Sequence, residues 1–376
     1  MIQYFILTFI PFLIIVSFDI FCGSRVILMK RFWKTIGVLG FATLLFDTFL
    51  TSIPIVLYNQ EKISGLKIGT IPIEDFIYGF TFALTVFVVP SFIAYLQKNW
   101  KVILACSRPF SWINTAYPYL LAVFVLRGRV SIEDVLIVLF FLFPYNLLVY
   151  GINDIYDYET DRLNPRKNSI EGALVEPVYH KSIWWLTIAL CVLFLPVMFY
   201  TGGWILLSLF LILILNAIFY SAPPFRFKGV PVFDSISSSL HFVFPAVIGV
   251  VIANHLYDSL HVLFAFFFWG IASHIIGAIP DIQYDKKAKI STVATLLGKK
   301  LAVIIAVLFY CLAGILLIAG NVPIIFILLL LPYCLNAASF FLDNRFSKLR
   351  PFRYFMYYNL FYGFVSTMYI IWRYIV

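Results

Sequence analysis

The sequence predicts an all-α polytopic membrane protein, with a nine-helix bundle preceded by a three-helix membrane domain. Its 376 residues are 62% hydrophobic and only 12% charged, with a mean hydropathy of +0.97. A soluble chain of this length cannot enclose so much apolar surface. Apolar runs of roughly 20 residues, the length that crosses a hydrocarbon core, recur about twelve times. The basic residues concentrate in alternate loops between those runs, as topology signals do.

The first run, 2–21, has no basic n-region or cleavage site and reads as a retained spanning helix. Runs at 35–57 and 73–96 follow. The latter opens with Pro72, then Glu74 and Asp75, a placement that the helix N-terminus favours. The basic connector Gln97 to Trp112 marks the internal boundary, giving domains 1–100 and 101–376. Further runs fall at 103–126, 131–156, 182–200, 203–220, 232–253, 259–280, 300–318, 322–341 and 353–375. One set of loops carries Arg25, Lys30, Arg31 and Lys34, then Lys98, Lys101 and Arg108, then Arg162, Arg166 and Lys167. It continues through Arg226 and Lys228, the lysines between 286 and 300, and Arg345 to Arg353. The opposite set has little beyond Lys62, Lys67, Arg127 and Arg129. The positive-inside rule makes the first set cytoplasmic and puts both termini outside. The net charge of +9 therefore reports topology, and no nucleic-acid partner is implied. The 5 cysteines show neither metal nor redox spacing.

Two acidic clusters close apolar runs on the cytoplasmic side: NDIYDYETD (Asn153 to Asp161) and DIQYD (Asp281 to Asp285). Ionised carboxylates at membrane depth are costly unless they face a polar cavity, a partner or a metal. At about 100° per residue, Asp154, Asp157 and Asp161 fall within roughly a 60° arc, with Asn153 close by. Asp281 and Asp285 also share a face, and His274 lies nearly on their line. Such oxygen-rich groups suit Mg2+, which joins a few carboxylates to substrate phosphates and makes a diphosphate a good leaving group. Arg162, Lys167, Arg226, Lys228 and Lys289 lie on the same side to meet the remaining charge. The bland alternative, solvated aspartates at helix ends, explains one cluster more readily than two flanked by Lys and Arg.

GINDIYDYETDRLNPRK resembles the first motif, NDxxDxxxD, of UbiA-type membrane prenyltransferases, and DIQYD resembles their second, DxxxD. YSAPPFRFK (Tyr220 to Lys228) resembles the family's intervening Y-x-x-PP-x-R-x-K loop. The resemblance covers about residues 103–376 and implies nine helices, magnesium and a prenyl diphosphate. By motif position it assigns their binding to Asn153, Asp154, Asp157, Asp161, Asp281, Asp285, Arg226 and Lys228. Within the family, RPFSWINTAYPY, DYETDRLNPRKN and SHIIGAIPDIQYDKKAKISTVATLLGKK most resemble the lycopene elongases, which add five-carbon units to the ends of a linear carotenoid. His274 belongs to that last pattern. The implied substrates are dimethylallyl diphosphate and a hydrophobic polyene acceptor within the lipid bilayer. Departure of diphosphate leaves an allylic cation, which the aromatic faces of Tyr150, Tyr156, Phe219 and Tyr220 are near enough in sequence to stabilise. No residue stands out as the final base.

The first domain carries a separate signal. Asp47 sits inside an apolar span (LLFDTFL), and a buried acid there is a functional hypothesis by default. A carboxyl group in apolar surroundings can serve as proton donor to an alkene. FDTFLTSIPIVLYNQ and IGTIPIEDFIYGFTFALTVFVV resemble the small membrane lycopene cyclase domain, with a carboxylate in its second helix and P-x-E-[ED] opening its third. This resemblance covers roughly residues 1–100 and implies catalytic roles for Asp47, Glu74 and Asp75. Such domains commonly work in pairs, so the single copy here implies a homodimer or a second cyclase-domain subunit. Glu74 and Asp75 fall near the outer face by the charge pattern. Two other readings compete: prenyl transfer to a quinone precursor or other lipid, and a cation-coupled transporter. Transporters keep such carboxylates near the midplane, whereas these lie at one boundary.

Overall fold

The computed structural model describes residues 3–53, 55–162, 174–288, 290–342 and 350–374. The protein is an all-α, integral multi-pass membrane protein. Nine of its helices, among the described residues, are long and apolar enough to cross a membrane. The helices gather into two compact units, residues 1–105 with 175–196, and residues 106–174 with 197–376. The segment 175–196 thus groups with the N-terminal helices, which a linear cut at residue 100 does not anticipate.

In the first unit, α1 (Gln3–Cys22), α2 (Lys30–Ser52) and α3 (Ile73–Cys106) pack around Ile15, Phe32, Ala83, Leu84 and Val88. Buried Asp19 ties the turn between α1 and α2, accepting from the Ser24 hydroxyl at 2.6 Å and the Val26 amide at 2.8 Å. A small antiparallel hairpin, β1 (Lys67–Ile68) and β2 (Ile71–Pro72), leads directly into α3. Glu74 and Asp75 occupy the first turn of α3, as the Pro72 signal predicts. That helix continues ten residues beyond its expected end at 96, through most of the basic connector. No glycine or proline interrupts residues 91–108, and it ends only as the chain approaches Pro109.

The second unit begins with α4 (Trp112–Arg127) and α5 (Ile132–Leu142), the latter opened by a Ser131–Asp134 capping box. One long run then continues through α6 (Pro144–Asn146), a π-helical turn (Leu147–Gly151) and α7 (Ile152–Asp161). Pro144 cannot donate, and in lipid the backbone groups it disturbs must find partners within the protein. Asn146 Nδ2 supplies them, donating to the carbonyls of Phe141 at 2.7 Å and Leu142 at 3.0 Å. The long α8 (Pro177–Ser221) is broken at Gly202 and Gly203; the latter has φ +61°, open to glycine without a Cβ penalty. This break makes two helices, as the separate runs 182–200 and 203–220 predict.

Next come α9 (Phe233–Ile252), α10 (Leu260–Ala278), α11 (Ile282–Lys287) and α12 (Val293–Ala319). The unit ends with α13 (Ile324–Leu328), α14 (Leu331–Leu342) and α15 (Arg350–Tyr374). Ile271, Ile275, Val303, Ala306, Tyr310 and Tyr333 form a core between α10, α12 and α14. Pro280 falls in a 3-10 turn (Ile279–Asp281) between α10 and α11. The run from α10 through this turn to α11 is one apolar helix of 28 residues, with the tighter turn lying between His274 and Asp285.

Helices α9 and α10 approach closely at Gly270, where an added Cβ would meet the Ser239 side chain, 2.9 Å from its Cβ. Small residues allow such approach in membranes. Gly270→Ala should lower stability by about 1–3 kcal/mol, measured by thermal unfolding in detergent, because Ser239 also donates to the Phe267 carbonyl.

Candidate functional site

Helix α7 places Asp154, Asp157 and Asp161 on one side, with Asp154 and Asp161 buried. Asp154 Oδ1 accepts from Arg108 Nη2 at 2.7 Å, and the Arg108 guanidinium lies over the Tyr150 ring, 4.4 Å from its centre. Asp157 is gripped by Lys228 Nζ and lies 3.6 Å from Arg226 Nη2. Both basic residues come from the loop following α8, and Lys228 sits in a 3-10 turn, itself buried. Burial pushes the Lys228 ammonium below its ordinary value, while Asp157 pulls it back up. Asn153 Nδ2 donates to Ser221 Oγ at 3.1 Å, linking α7 to the end of α8.

The second motif lies beside this assembly. Asp281 ends the 3-10 turn and Asp285 sits in α11, both half-buried. The charges acting on Asp285 are the carboxylates of Asp281 and Asp157 and the ammonium of Lys228. The acidic motifs thus share an electrostatic neighbourhood, with Lys228 common to both. Among the described residues, no three His, Cys, Asp or Glu side chains close on one point as a ready metal cage.

Tyr220 and His274 come together at 3.3 Å, and Ser235 Oγ lies 3.0 Å from the other ring nitrogen of His274. Arg162 instead forms an exposed pair with Glu159 at 3.2 Å on the surface of α7 itself. Lys167 and Lys289 lie outside the described residues. Of the aromatic candidates, Tyr150 is faced by Arg108, and Phe219 packs edge-on against Phe225 at 5.0 Å. In the sequence Arg108 is one of the loop charges and opens the RPFSWINTAYPY stretch, and neither feature names Asp154 as its partner. Its position at the end of the connector, immediately before Pro109, was the available signal.

In the first unit, Asp75 accepts hydrogen bonds from the Tyr4 hydroxyl at 2.9 Å and from the Tyr58 hydroxyl. Burial and the Asp75 carboxylate push the Tyr58 phenol above its ordinary value. Asp47 is electrostatically coupled to Asp75. It is half-buried rather than enclosed, because α2 buries none of its apolar window within the protein. Glu74 is fully buried and accepts from the Ser64 amide at 2.6 Å. Tyr4 and Tyr58 carry no sequence signal, since each lies in an apolar or irregular stretch remote from α3.

Asp157→Asn would leave the buried Lys228 ammonium without its counter-charge. A loss of about 3–5 kcal/mol in unfolding free energy is expected. Glu159→Gln, which breaks an exposed pair, should cost less than about 1 kcal/mol in the same denaturation assay.

Comparison with known proteins bears on this site. The model of the UbiA prenyltransferase family matches residues 115–361, and the model named lycopene cyclase matches residues 2–93. A "Lycopene elongase/hydratase" of Corynebacterium glutamicum is 40% identical over 283 residues, covering 73% of this chain and 98% of that protein. A "C(50) beta-cyclic carotenoids biosynthesis protein" of Dietzia sp. is 34% identical over 333 residues, 75% of each chain. The solved UbiA homologue of Archaeoglobus fulgidus bound to DMAPP and Mg2+ shares the fold, with TM-score 0.54 and 23% identity over 70% of this chain and 98% of that one.

Proposed function

The chain belongs to the UbiA prenyltransferase family, and we propose that it elongates a linear carotenoid. It transfers a five-carbon prenyl group from dimethylallyl diphosphate to the end of lycopene or a related polyene, within the membrane and with magnesium. The observation that carries this reading is the electrostatic meeting of Asp157 and Lys228 with Asp285, which allows one diphosphate to engage both acidic motifs. The names of similar proteins support the acceptor class. The DMAPP and Mg2+ bound to the Archaeoglobus homologue support the donor.

Asn153, Asp154, Asp157, Asp161, Asp281 and Asp285 offer oxygen donors, the chemistry magnesium prefers. Such donors would suit an ion that also draws on phosphate oxygens and water. When bound, the metal neutralises the leaving diphosphate. Lys228 and Arg226, paired with Asp157 here, turn to the phosphate oxygens, while Arg108 keeps Asp154 aimed into the site. The C–O bond of the donor breaks with its electron pair on diphosphate. The acceptor's terminal alkene attacks the allylic carbon, and the resulting tertiary cation loses a proton.

The first domain adds ring closure in this reading. Asp47, Glu74 and Asp75 form its acidic set, and it works with a second cyclase-domain subunit or a second copy of the chain. The match over residues 2–93 and the Dietzia relative support that assignment. The charge alternation of the loops supports a cytoplasmic prenyl-transfer site, and the two matched family models support domains 1–100 and 101–376.

Production of the chain in a lycopene-making host should yield carotenoids heavier by five-carbon units, read by mass spectrometry. Unchanged pigment together with prenylation of an aromatic acid would redirect the assignment to a quinone precursor. With purified protein, chelation of magnesium should stop diphosphate release, and Asp154→Ala or Asp285→Ala should slow it at least about 100-fold. Asp75→Asn should leave elongation intact and remove cyclic end groups formed with the partner subunit.

A further inference from the structure

We propose that the proton released at the end of prenyl transfer leaves through a partly buried hydrogen-bonded chain of Tyr220, His274, Ser235 and Asp234, with the Tyr220 oxygen as the base. The inference rests on the prenyl-transfer reading and supplies the acceptor that the sequence leaves unnamed.

The direction of the chain follows from counting protons. Asp234 is fully buried on α9; its Oδ2 accepts from the Val293 amide at 2.8 Å and its Oδ1 from the Ser235 hydroxyl at 3.4 Å. A hydroxyl has one proton to give. Ser235 Oγ, having spent its proton on Asp234, must accept from His274 Nδ1, 3.0 Å away. That tautomer leaves a lone pair on Nε2, so the Tyr220 hydroxyl donates to it at 3.3 Å. Each donor therefore points towards one buried carboxylate, whose own donors are an amide and a hydroxyl rather than a cation.

The open end of the chain lies at the diphosphate motifs. Tyr220 adjoins Ser221, which Asn153 contacts, and the Asp157 carboxylate and Tyr150 act electrostatically on its hydroxyl. The His241 ring packs edge-on against the tyrosine at 5.0 Å, holding it in place.

The step balances without a redox partner. After the new C–C bond forms, a C–H bond beside the tertiary cation breaks and its electron pair closes a double bond. The proton goes to the Tyr220 oxygen as the tyrosine's own proton passes to His274 Nε2. The resulting imidazolium is stabilised through Ser235 by Asp234. Without this acceptor, water captures the cation and gives a hydroxylated end.

The test uses the purified full chain with dimethylallyl diphosphate, magnesium and lycopene, resolving alkene-ended from hydroxyl-ended products and following diphosphate release. Tyr220→Phe and His274→Gln should each lower the alkene-to-hydroxyl ratio at least about tenfold among the products that form. Ser235→Ala should shift the ratio in the same direction and provides a third variant should another fail to fold. An unchanged ratio in the folded variants would overturn the proposal and leave diphosphate as the proton acceptor. Parallel loss of both products and of diphosphate release would also overturn it, indicating a structural role. Wild-type protein that prenylates no polyene would sink the prenyl-transfer reading, and this inference with it.

Discussion

Keeping anionic carboxylates inside an apolar bundle is the constraint on which the rest of the second unit depends. Among the described residues, three of its aspartates are answered by an arginine or lysine. Arg108 meets Asp154, Lys228 and Arg226 meet Asp157, and Arg127 meets Asp134. Both arginines that approach α7 adopt left-handed backbone conformations, with φ +48° at Arg108 and +43° at Arg226. Such conformations cost a non-glycine residue roughly 1–2 kcal/mol, and a charge-assisted bond at membrane depth can offset that. The segments before α4 and after α8 are thereby pinned to the acidic helix.

The same pairing readies the site for an anionic ligand. Lysine and arginine already face Asp154 and Asp157, so under the prenyl-transfer reading a diphosphate enters a neighbourhood that already holds cations. Cations already in place to meet its oxygens moderate the desolvation cost of binding.

How much was legible in the sequence depended on whether a feature was local. The common face of Asp154, Asp157 and Asp161 follows from helical periodicity, and the regular winding of α7 preserves it. The break in α8 announces itself as two adjacent glycines. Local patterning overlooked the tighter 3-10 winding at Pro280, between His274 and Asp285. It also misled in the basic connector, where charge suggested a loop although no residue stopped α3. Partnerships across the fold were out of reach. Nothing near Tyr4 or Tyr58 indicates that both clasp Asp75, and Arg108 resembles any other cytoplasmic arginine until Asp154 is placed beside it. The relation between the motifs became visible only through the shared surroundings of Lys228 and Asp285.

The wide turn Leu147–Gly151 has a geometric consequence. It accommodates an additional backbone unit compared with ordinary α winding, so it sets the azimuth of everything downstream on that rod. Restoring regular α coiling there without removing an amino acid would swing the acidic side by roughly one residue's step, about 100°. The carboxylates would then face away from the guanidinium and ammonium groups that now hold them. The angular aim of the acidic helix is thus metered by a single peptide.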